Sequence, residues 1–154
     1  MNNYANSSFE EIALTIGKFI LVCGEIEFEI TATYPIFTGK KLSSKWMSDS
    51  FFNKINHLQN ALDLSGPKHK AYHDLLNELS TYRDLRNHLS HGFVAIDASS
   101  LVSGSYTSIK IGTSDTTYKV DDLKNKLHEL ITLRQALNTA NAEAALEKNL
   151  GHLL

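Results

Sequence analysis

A run of apolar residues at helical spacing between Phe9 and Ile30 constrains this chain more than any other feature. Phe9, Ile12, Ala13, Ile16, Phe19, Ile20, Cys23, Ile26 and Ile30 recur every three or four positions, which puts them on one side of an α-helix. Such a stripe must be buried against other elements, so a helical domain is the first expectation. Ser7 or Ser8, followed by Glu10 and Glu11, supplies the start: a hydroxyl to cap, and acids near the positive end of the dipole. Pro35 is expected to end this first helix.

Further helices follow from the same pattern. Gly39 to Ser50 reads as a polar connection carrying Lys40, Lys41, Lys45 and the only tryptophan, Trp46. Phe51, Ile55, Leu58 and Leu62 imply a second helix, capped by Ser48 or Asp49, and Ser65-Gly66-Pro67 breaks it. A third helix runs from about Lys68 to Ser90, with Gly92 as its stop. From Phe93 to Val120 the period changes: Val94 and Ile96, then Tyr106, Ile109 and Ile111, then Tyr118 and Val120 sit among Ser, Thr and Gly. This predicts short strands in a hairpin insert over about 93–120. A last helix begins near Asp121, with Leu123, Leu127, Leu130, Ile131, Arg134 and Leu137 on one side, and continues through an alanine-rich end to Leu150. The reading is a mainly α fold, a bundle of four to five helices with a small β-hairpin insert between the third and last long helices. It forms a single domain over residues 1–154.

Bulk properties narrow the function classes. A chain of 154 residues can bury a genuine core. No apolar run is long enough to span a bilayer; the best, around Phe19 to Cys23, is bounded by Lys18 and Glu25. The polar, acidic start predicts no signal peptide, and the single cysteine, Cys23, allows no intrachain disulfide, so a cytoplasmic setting is the simplest expectation. The balance of 15 basic and 17 acidic residues argues against a broad basic face that coats nucleic acid but leaves room for a focused site. Glycine-rich phosphate loops, Ser/His/Asp signatures and paired-cysteine zinc sites are absent from the sequence, and no cofactor or metal is expected. His69 and His73 have chelating spacing but no third ligand nearby, which favours an exposed helix face. Lys40, Lys41, Lys45 and Trp46 suit either a solvated loop or, less favoured, a stacking platform for single-stranded RNA. Cys23 is expected to pack rather than react.

One segment stands out physically: Arg86-Asn87-His88-Leu89-Ser90-His91. At about 100° per residue, Leu75, Leu79, Tyr82 and Leu89 share one face of the third helix, and Arg86 falls in its middle. A guanidinium there needs a carboxylate, a polar cleft, a partner subunit or an anionic ligand, since an unpaired internal charge costs several kcal/mol. Asn87 and His91, four apart, point together, one helix side over. His91 falls at the helix end, among the released carbonyls. An arginine, an amide and a histidine at one terminus suit phosphate chemistry: arginine grips phosphate oxygens and histidine moves protons near neutral pH. The competing reading is structural, with Arg86 paired to Glu25, Glu27 or Glu29 and His91 a simple cap. Glu27 is the preferred partner for Arg86 or Arg83, and Arg83 lies on the flank toward Asn87. His88 is expected to face solvent and to help bind RNA at most.

These residues carry a family resemblance. Arg86-Asn87-His88-Leu89-Ser90-His91-Gly92 resembles the R-N-x-x-x-H motif of HEPN domains, the higher-eukaryote and prokaryote nucleotide-binding superfamily. The order of elements around it is similar to the bacterial members: a long first helix with Gly24-Glu25-Ile26-Glu27 at its middle, a short second helix, the motif ending a third, a strand-like insert and a final helix. The resemblance implies a helical bundle that forms a homodimer, with two motifs meeting across the interface, and metal-independent endoribonuclease activity. The RNA 2′-hydroxyl attacks the adjacent phosphate, leaving a cyclic phosphate and a 5′-hydroxyl. It implies His91 for proton transfer, Arg86 for charge on the phosphate and Asn87 for positioning; beside these three, Arg83, Glu27, His88 and Ser90 of this sequence are supporting candidates. Toxin–antitoxin pairs, with an inhibitory antitoxin partner, and phage defence are common settings for the family. Other members are noncatalytic dimerisation or nucleotide- or partner-binding modules, the alternative for this chain. One subgroup carries a modifiable tyrosine two residues after the histidine; Phe93 stands there here.

Overall fold

Helix α1 spans Phe9–Thr38, and its start is a reciprocal cap between Ser8 and Glu11. The Ser8 amide donates to Glu11 Oε2 at 2.9 Å, and the Glu11 amide donates to Ser8 Oγ at 3.2 Å, satisfying two amides that the first turn would otherwise leave open. In the computed structural model, residues 7–92, 94–95, 106–111 and 116–150 are described. Phe93, Ile96 and most of the first loop of the expected insert lie outside them.

Pro35 does not end α1. The helix runs one turn further to Thr38 and closes at Gly39, whose φ of 67° is left-handed and whose amide donates to the Pro35 carbonyl at 2.8 Å. Proline this near a C-terminus forfeits one hydrogen bond, and buried Phe37 anchors the extra turn. Lys148 Nζ adds a cation at the same end, donating to the carbonyls of Ile36, at 2.9 Å, and Phe37.

Among the described residues there are six helices, against the expected four to five. The extra ones are α2 (Ser44–Ser48) in the expected polar connection, and a division of the third helix into α4 (Pro67–Ser80) and α5 (Arg83–His91). At the division, Thr81 and Tyr82 bond three residues back, to Glu78 and Leu79, rather than four. The Ser80 and Thr81 hydroxyls take the Leu76 and Glu78 carbonyls, the competition by which such side chains loosen a helix. Helix α3 is Phe51–Gln59, capped by Ser50 rather than by Ser48 or Asp49. The last helix, α6, is Val120–Leu150.

The chain divides into two compact units. The first holds α1 as far as Val22, α5 from Asp84, the start of α6 to Ile131, and a three-stranded antiparallel sheet in the order β1 (Val94–Ala95), β2 (Ser108–Ile111), β3 (Thr117–Lys119). Val94 pairs with Ile111, and Ile109 pairs with Tyr118. Its core is Ile12, Phe19, Leu89, Tyr106, Ile109, Val120, Leu123, Leu127 and Leu130. Ser7 bridges to Tyr106, and its hydroxyl accepts from Lys124 Nζ at 2.7 Å. The expected small β insert in a mainly helical chain is what these elements form.

The second unit holds the rest of α1 from Cys23, then α2, α3, α4, Arg83 and the remainder of α6. Ile26, Ile30, Ile55, Leu58, Leu76, Leu79, Leu133 and Ala144 fill its core, and Cys23 is packed there. Its polar seams join α1 to α6. Arg134 donates to Glu25 at 2.7 Å and to Glu29 at 3.3 Å, and Asn141 donates to Thr33 at 2.9 Å. His69, expected on an exposed face, is buried: the Asp63 amide donates to its Nδ1 at 2.9 Å and its Nε2 donates to the Ala144 carbonyl at 3.0 Å. Both ring nitrogens are used, so it has no lone pair to offer a metal. No helix among the described residues is long and apolar enough to cross a membrane.

Candidate functional site

Helix α5 carries the whole segment singled out in the sequence. Leu89 anchors it in the core, Leu85, Arg86, Asn87 and His88 are half-buried, and Arg83, Ser90 and His91 are exposed. In sequence Arg86 falls between Tyr82 and Leu89, both of which are buried, and is itself half-buried.

The guanidinium of Arg86 leans on its sequence neighbour: Nη1 donates to Asn87 Oδ1 at 3.4 Å. On an ideal helix Asn87 lies about 100° from Arg86, and His91 about 40° beyond it, one turn on. The lean is therefore toward the His91 side. The backbone itself separates Arg86 from His91 by about 140°, so a single helix does not set the two side chains face to face. Ser90 Oγ donates to the Asn87 carbonyl at 3.3 Å, which ties it to the backbone beneath the amide. The Gly92 amide closes the helix on the His88 carbonyl at 2.8 Å, leaving His91 at the open terminus.

His88 departs from expectation. It is half-buried, and its Nδ1 lies 2.7 Å from the Tyr118 hydroxyl of β3, with the two rings 6.1 Å apart. Tyr118 was not visible as a site residue, because 30 positions of sequence separate the pair and only the fold of the insert brings them together. Partial burial, and then the nearby Asp84 carboxylate, hold the Tyr118 phenol above its ordinary pKa. It is thus neutral, and its O–H can donate to His88.

Glu27, expected to meet Arg86 or Arg83, is engaged by Lys54, whose Nζ lies 2.6 Å from Oε1. Lys54 is itself buried, so this pair explains why an acid stands on α1 at that point. Glu25 and Glu29 are engaged by Arg134.

No family model, curated protein or solved structure matches this chain. The chemistry of α5 must therefore be argued from its own side chains. They offer a cation and an amide in contact and, one turn on, an exposed imidazole. Among the described residues no group of three His, Cys, Asp or Glu side chains is placed to hold a metal ion.

Proposed function

We propose that this chain is a HEPN-type, metal-independent endoribonuclease whose composite active site forms where two copies bring their α5 helices together. His91 moves the proton between the RNA 2′-hydroxyl and the leaving 5′-oxygen. Arg86 stabilises the charge that develops on the phosphate, and Asn87 positions the guanidinium. The observation that carries the reading is the lean of Arg86 on Asn87 toward an exposed His91. A second copy supports it geometrically: the roughly 140° between Arg86 and His91 on one helix is bridged when another α5 supplies the complementary group.

Helix α1 offers a surface for that second copy. Leu14 and Leu21, seven residues apart and so on one helix face, are 57% and 63% exposed. Gly17 lies between them with open space where a side chain would be, which lets another backbone approach closely. The setting that fits is a cytoplasmic toxin or phage-defence effector restrained by an antitoxin partner.

The test is expression of the wild type beside His91→Ala and Arg86→Ala. Growth arrest by the wild type alone, with both variants folded, supports the reading. Folded, dimeric wild type that leaves growth and RNA untouched, with no inhibitory partner bound, overturns it in favour of a noncatalytic module.

A further inference from the structure

In the second unit the three lysines of the α1–α3 connection border a hollow. A cavity of about 240 Å³ is lined by Lys40, Lys41, Lys45, Trp46, Asp49 and His57, among others. Trp46 is a wall rather than a platform. It is buried at 5% exposure, stacked on Tyr34 at 4.0 Å between ring centres and flanked by His57 at 5.7 Å. A nucleobase therefore has no free indole face to stack on, which removes the platform considered from sequence.

The charges are unevenly matched. Lys40, Lys41 and Lys45 are exposed, and their ammonium groups make no hydrogen bond or ion pair with any described residue, whereas those of Lys54, Lys68, Lys70, Lys126 and Lys148 each have an acceptor. The one carboxylate, Asp49, is occupied: Asn53 Nδ2 donates to it at 2.6 Å, the Ser50 amide at 3.0 Å, and His57 Nε2 lies 3.1 Å away. The Trp46 Nε1 donor is itself buried, with no acceptor among the described residues.

We propose that this hollow is a polyphosphate-binding site, taking two or three linked phosphate groups between the three ammonium groups. Its volume, that of about eight liquid waters, is below the roughly 300–1,000 Å³ of pockets that enclose larger ligands, so a compact anion is the fit. Lysine recognises phosphate as a point charge and needs no bidentate geometry. The site is independent of the ribonuclease reading.

Because Trp46 is the only tryptophan, its indole N–H gives a single, assigned NMR signal. Tripolyphosphate is titrated into the full chain, then into a Lys40→Ala/Lys41→Ala/Lys45→Ala variant and into Lys70→Ala as a control. The expected result is a saturable shift of the indole signal and affinity at least tenfold weaker in the triple variant, with the control unchanged. No saturable shift, or a triple variant within twofold of wild type, overturns the proposal. Parallel titrations with ATP against adenosine, and with a 5′-triphosphate RNA against its 5′-hydroxyl form, then identify the molecule that carries the phosphates.

Discussion

The imidazole of His88 and the phenol of Tyr118 meet at 2.7 Å, tying α5 to β3 within one unit. This single contact gives the β insert a role in orienting the helix that carries Arg86, Asn87 and His91. Tyr118→Phe removes the hydroxyl alone and is expected to cost about 1 kcal/mol of stability, the net worth of a typical hydrogen bond. Any ribonuclease activity should fall less than tenfold, since the pair orients rather than reacts. Urea unfolding together with a cleavage assay measures both; a loss of activity as large as that in His91→Ala would promote Tyr118 into the chemistry.

Glu27 is predicted to be structural. Glu27→Gln leaves the buried Lys54 ammonium without its counter-charge. Breaking a fully buried pair costs roughly 3–5 kcal/mol, but Glu27 retains 29% exposure, so about 2 kcal/mol is expected after solvent screening. Activity per folded molecule should be unchanged. Chemical denaturation beside specific activity separates this from a supporting role at Arg86 or Arg83.

Several features were legible in the sequence because they depend on neighbours along the chain. The Ser8–Glu11 cap and most of the apolar stripe of α1 are local patterns, although Phe9, at the start of that stripe, is exposed. The misreadings share a different cause. Pro35 was expected to end α1, but burial of Phe37 outweighed one lost hydrogen bond. The Thr81–Tyr82 break turns on hydroxyls competing for carbonyls, which residue spacing does not encode. His88 was placed in solvent because the wheel holds one helix and not the strand beside it. Lys54 with Glu27, and His69 with Ala144, are pairings across 27 and 75 positions, beyond the reach of any local rule.

The start of α4 depends on an acid from the far end of the chain. Glu147 Oε2 accepts the Lys68 and His69 amides, each at 3.1 Å, in place of a cap that Gly66 cannot supply. Glu147→Ala is expected to cost about 1 kcal/mol. A methyl group at Gly66 would run into the same carboxylate, so Gly66→Ala should displace the cap as well. The double variant should then lose less than the sum of the two single losses, as thermal unfolding of all four proteins would show; strict additivity would contradict the shared cap.

Alkaline stability should report on Tyr72. Burial, then the Glu29 charge, push its phenol well above the ordinary value, against a smaller opposing effect from Thr33. Below pH about 10 the phenol is protonated in both states. Above it the unfolded chain loses the proton that the folded chain keeps, so stability falls as pH rises. Tyr72→Phe should remove about 1.4 kcal/mol of that decline in total between pH 9 and 11, measured by urea midpoints across the range; an unchanged decline would place the alkaline sensitivity elsewhere.

In the proposed reaction the RNA's own 2′-hydroxyl is the nucleophile and His91 on α5 is the proton carrier. The most direct measurement incubates the purified protein, in EDTA, with an RNA oligonucleotide and with its fully 2′-deoxy counterpart, alongside folded His91→Ala. Cyclic-phosphate and 5′-hydroxyl ends are expected from the RNA alone, with at least 100-fold slower cleavage by the variant. Equal cutting of the deoxy strand, or equal rates with and without the imidazole, would contradict that reaction.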